Sequence, residues 1–77
     1  MNHTTVSADV TANVRAALAR RRIQQQEFAE TIGWPRIRLS RRINGHTQFT
    51  IDDVVVIADA LGVSVETLVG KEQAVSA

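Results

Sequence analysis

The sequence predicts an all-α domain of five short helices, and three observations carry that expectation. Apolar residues recur at helical spacing in successive stretches of a 77-residue chain; each stretch is closed by a glycine or opened by a capping residue; and the one strand-like run, at 54–57, still keeps helical spacing with its neighbours. A chain of this length has room for one core only, and with no cysteine it has neither a disulfide framework nor a thiolate metal site to support that core. Packing between helices must supply the stability.

Val10, Val14, Ala17 and Leu18 predict a first helix running to about Arg22, with Ser7 or Asp9 as its cap. Gln24 and Glu27 have the spacing of a capping box and open a second helix that buries Phe28, Ala29 and Ile32 before Gly33 stops it. Pro35 can begin a helix but not sit inside one, so it starts the third, which runs to about Asn44 with Gly45 as a left-handed stop. Thr50 and Asp53 form a second box at the head of a fourth helix. Its "VVVI" stretch at 54–57 prefers a strand by composition, yet Ile51, Val54, Val55, Ala58 and Leu61 keep helical spacing before Gly62, and these five are expected inside. Ser64 caps a last short helix with Val65, Leu68 and Val69 inward and Gly70 at its end. The domain therefore spans residues 10–70, between a flexible lead-in at 1–9 and a flexible tail at 71–77.

Several classes of function fit poorly. Two histidines, no cysteine and no glycine-rich phosphate loop leave an enzyme without machinery, and Asp52 and Asp53 point about 100° apart on a helix. A lone loop histidine, His46, seldom binds metal, so neither a metal nor a cofactor is expected. No apolar run approaches the roughly 18 residues that cross a bilayer, and Met1 to Val10 does not read as a signal peptide; the expected location is the cytoplasm.

The charge is more informative. The net +1 conceals a segregation: eight arginines lie between positions 15 and 42 against Glu27 and Glu30, while the remainder of the chain is acidic. Arginines near a helix end complement its dipole, which accounts for part of Arg20 to Arg22. It does not account for Arg36, Arg38, Arg41 and Arg42. A one-sided basic face on a small helical domain is the footprint of a partner rich in phosphate.

The stretch "WPRIRLSRRINGHT" at 34–47 sharpens this. At about 100° per residue, Leu39 and Ile43 share the inner side of the third helix. Ile37 and Arg41 project from nearly the opposite side, flanked by Arg38 and Asn44. In the DNA major groove an arginine reads guanine O6 and N7 while an aliphatic group meets the thymine methyl. An isolated exposed isoleucine is otherwise unremarkable; beside arginine, on an outward face, it suits a surface that reads bases.

From Ile23 to Leu68 the sequence resembles the helix-turn-helix family of phage repressors and Cro-like (XRE-type) regulators, in the form found in small regulators of actinobacteria and their phages. The resemblance rests on Ala29, Gly33, the buried Leu39, the Asn44-Gly45 ending and the later "ALGVSVETL" at 60–68. It implies a lambda-repressor-like fold and sequence-specific binding of double-stranded DNA by a transcriptional regulator, a Cro-like or compact phage repressor. By the same resemblance Pro35, Arg36, Ile37 and Arg41 face bases, Gln24 and Gln25 hold a phosphate at the start of the second helix, and Asn44, His46 and Thr47 meet the sugar-phosphate backbone, with Arg38 as a further phosphate contact. Two positions depart from the family's pattern. Pro35 replaces a hydroxyl cap, and Arg42 stands where an apolar residue is common; its side chain is left to snorkel, to pair with a carboxylate or to reach a phosphate.

Regulators of this kind imply a two-fold operator, and a weak homodimer, formed on the DNA, is expected, with Val56 as the candidate contact. The competing reading is an antitoxin or other protein-interaction module on the same fold, against which the short, weakly apolar "KEQAVSA" speaks.

Overall fold

His3–Arg21 form α1, nineteen residues long. The protein is described by a computed structural model over residues 3–70, with side chains described from residue 9. The helix begins upstream of the Ser7 and Asp9 caps expected from the sequence and takes in most of the 1–9 stretch set apart there as a lead-in. Neither glycine nor proline interrupts residues 3–9, so nothing local stops the helix from extending. Val10, Val14, Ala17 and Leu18 are buried as expected. At its other end Arg22 takes a left-handed conformation with φ 56°, and Ile23 donates its N–H to Leu18 O at 3.0 Å. The tail at 71–77 lies outside the described residues.

Four shorter helices follow: α2 (Gln25–Ile32), α3 (Arg36–Ile43), α4 (Ile51–Leu61) and α5 (Val65–Val69). Among the described residues there is no strand. The stop signals behave as the sequence implies, with Gly33, Gly45 and Gly62 at φ +76°, +84° and +72°, a region that L-residues other than glycine seldom enter. The Thr50–Asp53 capping box is closed in both directions: Asp53 N–H donates to Thr50 Oγ1 at 3.0 Å and Thr50 N–H to Asp53 Oδ2 at 2.9 Å. Ser64 Oγ likewise accepts from Thr67 N–H at 3.1 Å. Gln24, by contrast, makes no side-chain cap bond, so the box expected at the head of α2 does not form.

One helix face was misjudged. Ile51 and Val55 are 69% and 48% exposed, whereas Ile57 is fully enclosed together with Val54, Ala58 and Leu61. A run of four β-branched residues offers several faces at the right spacing, and periodicity alone does not choose among them. Asp53 does. Its buried carboxylate faces α3, which rotates the inward sector of α4 away from Ile51 and Val55.

Helix ends leave carbonyls without partners, and α1 supplies donors to three other helices. Asn13 Nδ2 donates to Leu68 O and Gly70 O, both at 2.7 Å, at the end of α5. Arg15 Nη2 donates to Ile43 O at 3.2 Å at the end of α3, and Arg21 Nη2 to Leu61 O at 3.1 Å at the end of α4. Charged donors there also favour the negative end of each dipole. With α1 packed against α3 and α5, and α2 against α3 and α4, a single core forms around Leu39, Ile43, Ile57 and Leu68. It is the all-α, lambda-repressor-like arrangement expected.

Replacing buried Asn13 by alanine leaves two carbonyls without their donor, which costs about 1–3 kcal/mol. Urea unfolding of Asn13→Ala should show a lower midpoint with the slope unchanged; a midpoint equal to wild type removes this bond from the list of what holds α5 in place.

Candidate nucleic-acid interface

The turn between α2 and α3 is three residues long. Gly33 donates to Glu30 O at 3.2 Å and Trp34 to Ala29 O at 2.9 Å, and Pro35 at φ −58° launches α3, with Arg38 N–H returning to Pro35 O at 3.0 Å. Neither helix has a side-chain cap at its start, since Gln24 and Pro35 make no such bond. That is the setting in which a helix N-terminus accepts an anion.

Leu39 and Ile43 are buried, which fixes the rotation of α3. The opposite side is therefore open: Ile37 is 65% exposed, and Pro35, Arg36, Arg41 and Asn44 are exposed with it. Among the described residues no carboxylate pairs with Arg36 or Arg41. The loop after α3 folds back on the last turn, where Arg41 O accepts from His46 N–H at 2.8 Å and Thr47 N–H at 3.2 Å. Asn44 Nδ2 donates to Ser40 Oγ at 3.2 Å. Arg41, Asn44, His46 and Thr47 are thus gathered at one end of α3, His46 exposed and Thr47 half-buried. Gln24 is exposed and Gln25 half-buried at the start of α2. Val56 lies 39% exposed on α4.

The inner edge of α3 holds a cluster that sequence reasoning missed. Asp53 Oδ1 accepts from Arg38 Nη2 at 3.1 Å and Oδ2 from Arg42 Nε at 2.7 Å. Of the three fates open to Arg42, the pairing with a carboxylate is the one observed. Trp34 closes the cluster, its ring centroid 4.1 Å from the Arg38 guanidinium carbon and 5.6 Å from that of Arg42, within cation–π range. Positions 38 and 42 lie four apart on α3, a row that was available as a signal, whereas Trp34 reaches them from the turn before the helix. Arg15 ties α1 to the end of α3, donating to Ile43 O and also to Asn44 Oδ1 at 3.4 Å. Burial pushes the Asp53 carboxyl up, but the Thr50 N–H, then Arg42 and Arg38, outweigh it and hold the group below its ordinary pKa.

Comparison with known families gives the decisive observation. A family model described as helix-turn-helix matches residues 14–68, well over half of the chain. The chain belongs to the Cro-like, XRE-type helix-turn-helix family. It is accordingly a DNA-binding helix-turn-helix regulator in its general class, with α2 and α3 as the motif. A search of curated proteins and a search of solved structures each return no match. Among the described residues of this helix-turn-helix chain, no helix is long and apolar enough to cross a membrane, and no three metal-ligating side chains stand together.

Because the pKa of Asp53 is lower in the folded than in the unfolded chain, its contribution is present above the unfolded value and fades as pH falls through the folded one. At pH 7, Asp53→Asn should lower stability by about 1.5–3 kcal/mol, the range for hydrogen bonds to charged groups. The gap from wild type should narrow below about pH 4. Urea midpoints measured at pH 7 and pH 3 check this, and an equal gap at both contradicts it.

Proposed function

We propose that this chain is a sequence-specific transcriptional regulator, a compact repressor of Cro-like type, which reads the major groove of a double-stranded operator with α3. The observation that carries the reading is the pairing of exposed Ile37 with exposed Arg41, which has no carboxylate partner among the described residues, on the side of α3 opposite Leu39 and Ile43. A guanidinium offers a fork of donors to guanine, an aliphatic side chain fits the thymine methyl, and together they distinguish base pairs that either alone confuses. Arg36 and Pro35 extend this surface toward the start of the helix.

Around the readers stand groups suited to the sugar-phosphate backbone. In this reading Gln24 and Gln25, at the uncapped start of α2, hold a phosphate, while Asn44, His46 and Thr47 meet the backbone beyond the other end of α3. Arg38 adds a contact from the flank. These fix register without reading sequence. Regulation then follows by occlusion or recruitment at a promoter in the bacterial cytoplasm, with no covalent step. Two chains meet on a two-fold site, their half-sites about one helical turn, or roughly 34 Å, apart, and Val56 on α4 contributes to the contact between them.

Selection from a random duplex pool tests the reading. Wild type should recover a motif, and a pool that stays random favours a protein-interaction module. Arg41→Ala should relax preference at one or two base pairs, a loss of about 1–3 kcal/mol of discrimination at each. Gln25→Ala should weaken binding to all sequences alike. If both variants merely scale affinity uniformly, the division between readers and clamps is wrong.

The dimer contact has its own measurement. Equilibrium sedimentation on a two-fold duplex should show Val56→Asp shifting occupancy from two chains toward one; unchanged stoichiometry and affinity take Val56 out of the interface.

A further inference from the structure

The four arginines of α3 fall into two populations. Arg36 and Arg41 are exposed, with no carboxylate partner among the described residues. Arg38 and Arg42 share Asp53, whose side chain is 3% exposed. They are held unequally. Arg42 is 16% exposed, meets Oδ2 at 2.7 Å through Nε, and is pinned further by Nη1 donating to Arg38 O at 3.3 Å. Arg38 is 44% exposed and reaches Oδ1 through Nη2 alone, at 3.1 Å. Three residues separate Arg38 from Arg41, which sets their side chains about 60° apart around the helix. Arg38 thus sits on the border between the interior cluster and the outward face.

We propose that Asp53 competes with DNA phosphate for Arg38 and thereby limits how tightly the chain holds duplexes of any sequence. The proposal rests on the reading that α3 faces the groove. Carboxylate and phosphate are alternative partners for one guanidinium. To reach a phosphate, Arg38 must give up its bond to Oδ1, and Asp53 keeps Arg42 and the Thr50 N–H at Oδ2, so the carboxylate is not orphaned by the exchange. The exchange is feasible, but the bond given up subtracts from the bond gained. Because a phosphate contact carries no base information, what Asp53 tempers is the sequence-independent part of the affinity. Trp34, stacked on the guanidinium, keeps Arg38 beside this choice in either state.

The test uses a random-sequence duplex pool and the dependence of affinity on salt. Asp52→Asn is the control, because Asp52 is exposed on the same turn and its loss changes the net charge equally. Against that control, Asp53→Asn should bind the pool more tightly at low salt. Its log–log salt slope should equal the control's, because Arg38 meets the phosphate in both chains and the number of phosphates neutralised is unchanged. Adding Arg38→Gln should abolish the gain in affinity. If Asp53→Asn binds no more tightly than Asp52→Asn, or the gain survives removal of Arg38, the competition does not exist. A second measurement needs no loss of the buried carboxylate: in wild type, saturation with the pool should shift the Asp53 carboxyl ¹³C resonance, and in Arg38→Gln it should not. A resonance that stays in place in wild type also overturns the proposal. A wild-type chain that ignores duplex at every salt concentration overturns the groove reading along with it, whereas intact binding indifferent to Asp53 sinks this role alone.

Discussion

One buried carboxylate joins the two halves of the motif's support. Asp53 accepts from the backbone that caps α4 and from two arginines of α3, so the start of one helix and the inner edge of another are fixed by the same two oxygen atoms. Isolated in an apolar interior such a charge is costly, and it is tolerable here only because every nearby donor is aimed at it. The consequence reaches beyond stability. With Leu39 and Ile43 buried and Arg38 and Arg42 drawn to Asp53, α3 has no rotational freedom left, and Ile37 and Arg41 must look outward.

The second constraint is the brevity of the helices. Eight residues in α2, eight in α3 and five in α5 are too few to be stable alone. Each needs its ends satisfied and one face covered. Here α1 does both: its apolar side packs on the core, while Asn13, Arg15 and Arg21 reach the carboxyl ends of α5, α3 and α4. Part of the arginine cluster that reads as an electrostatic footprint is therefore structural. The charge free to meet a phosphate-rich partner is smaller than composition suggests, and it is concentrated on α3 and around Arg20 and Arg22.

What the sequence disclosed, and what it did not, follows from the range of the forces involved. Local rules were legible: Gly33, Gly45 and Gly62 in left-handed turns, the box at Thr50 and the cap at Ser64, and the inward Leu39 and Ile43 all depend on residues within one or two turns. The inward face of α4 was not legible, because "VVVI" satisfies more than one helical stripe and the choice was made by Asp53 meeting arginines eleven and fifteen positions earlier. Asn13 is similar. It lies on the same stripe as Val10, Val14 and Ala17, which hints at burial, but its acceptors are more than fifty residues away and no spacing rule points to them. Within the candidate interface, the outward set was visible on the helical wheel, whereas the division of the arginines into free and paired was invisible without α4 in place.

On the proposed reading of α3, that division bears on how the domain tells one duplex from another. An undivided row of four free arginines would bind any phosphate backbone strongly, and each such contact would raise the wrong sites together with the right one. Committing Arg42 to a buried carboxylate, and Arg38 in part, removes cationic strength from the flank of α3 while leaving Arg36 and Arg41 free beside Ile37. What remains exposed is weighted toward groups whose contacts depend on which base they meet. On that reading the domain gains selectivity by restraining its own non-selective charge, and the same ion pairs that restrain it hold α3 in position.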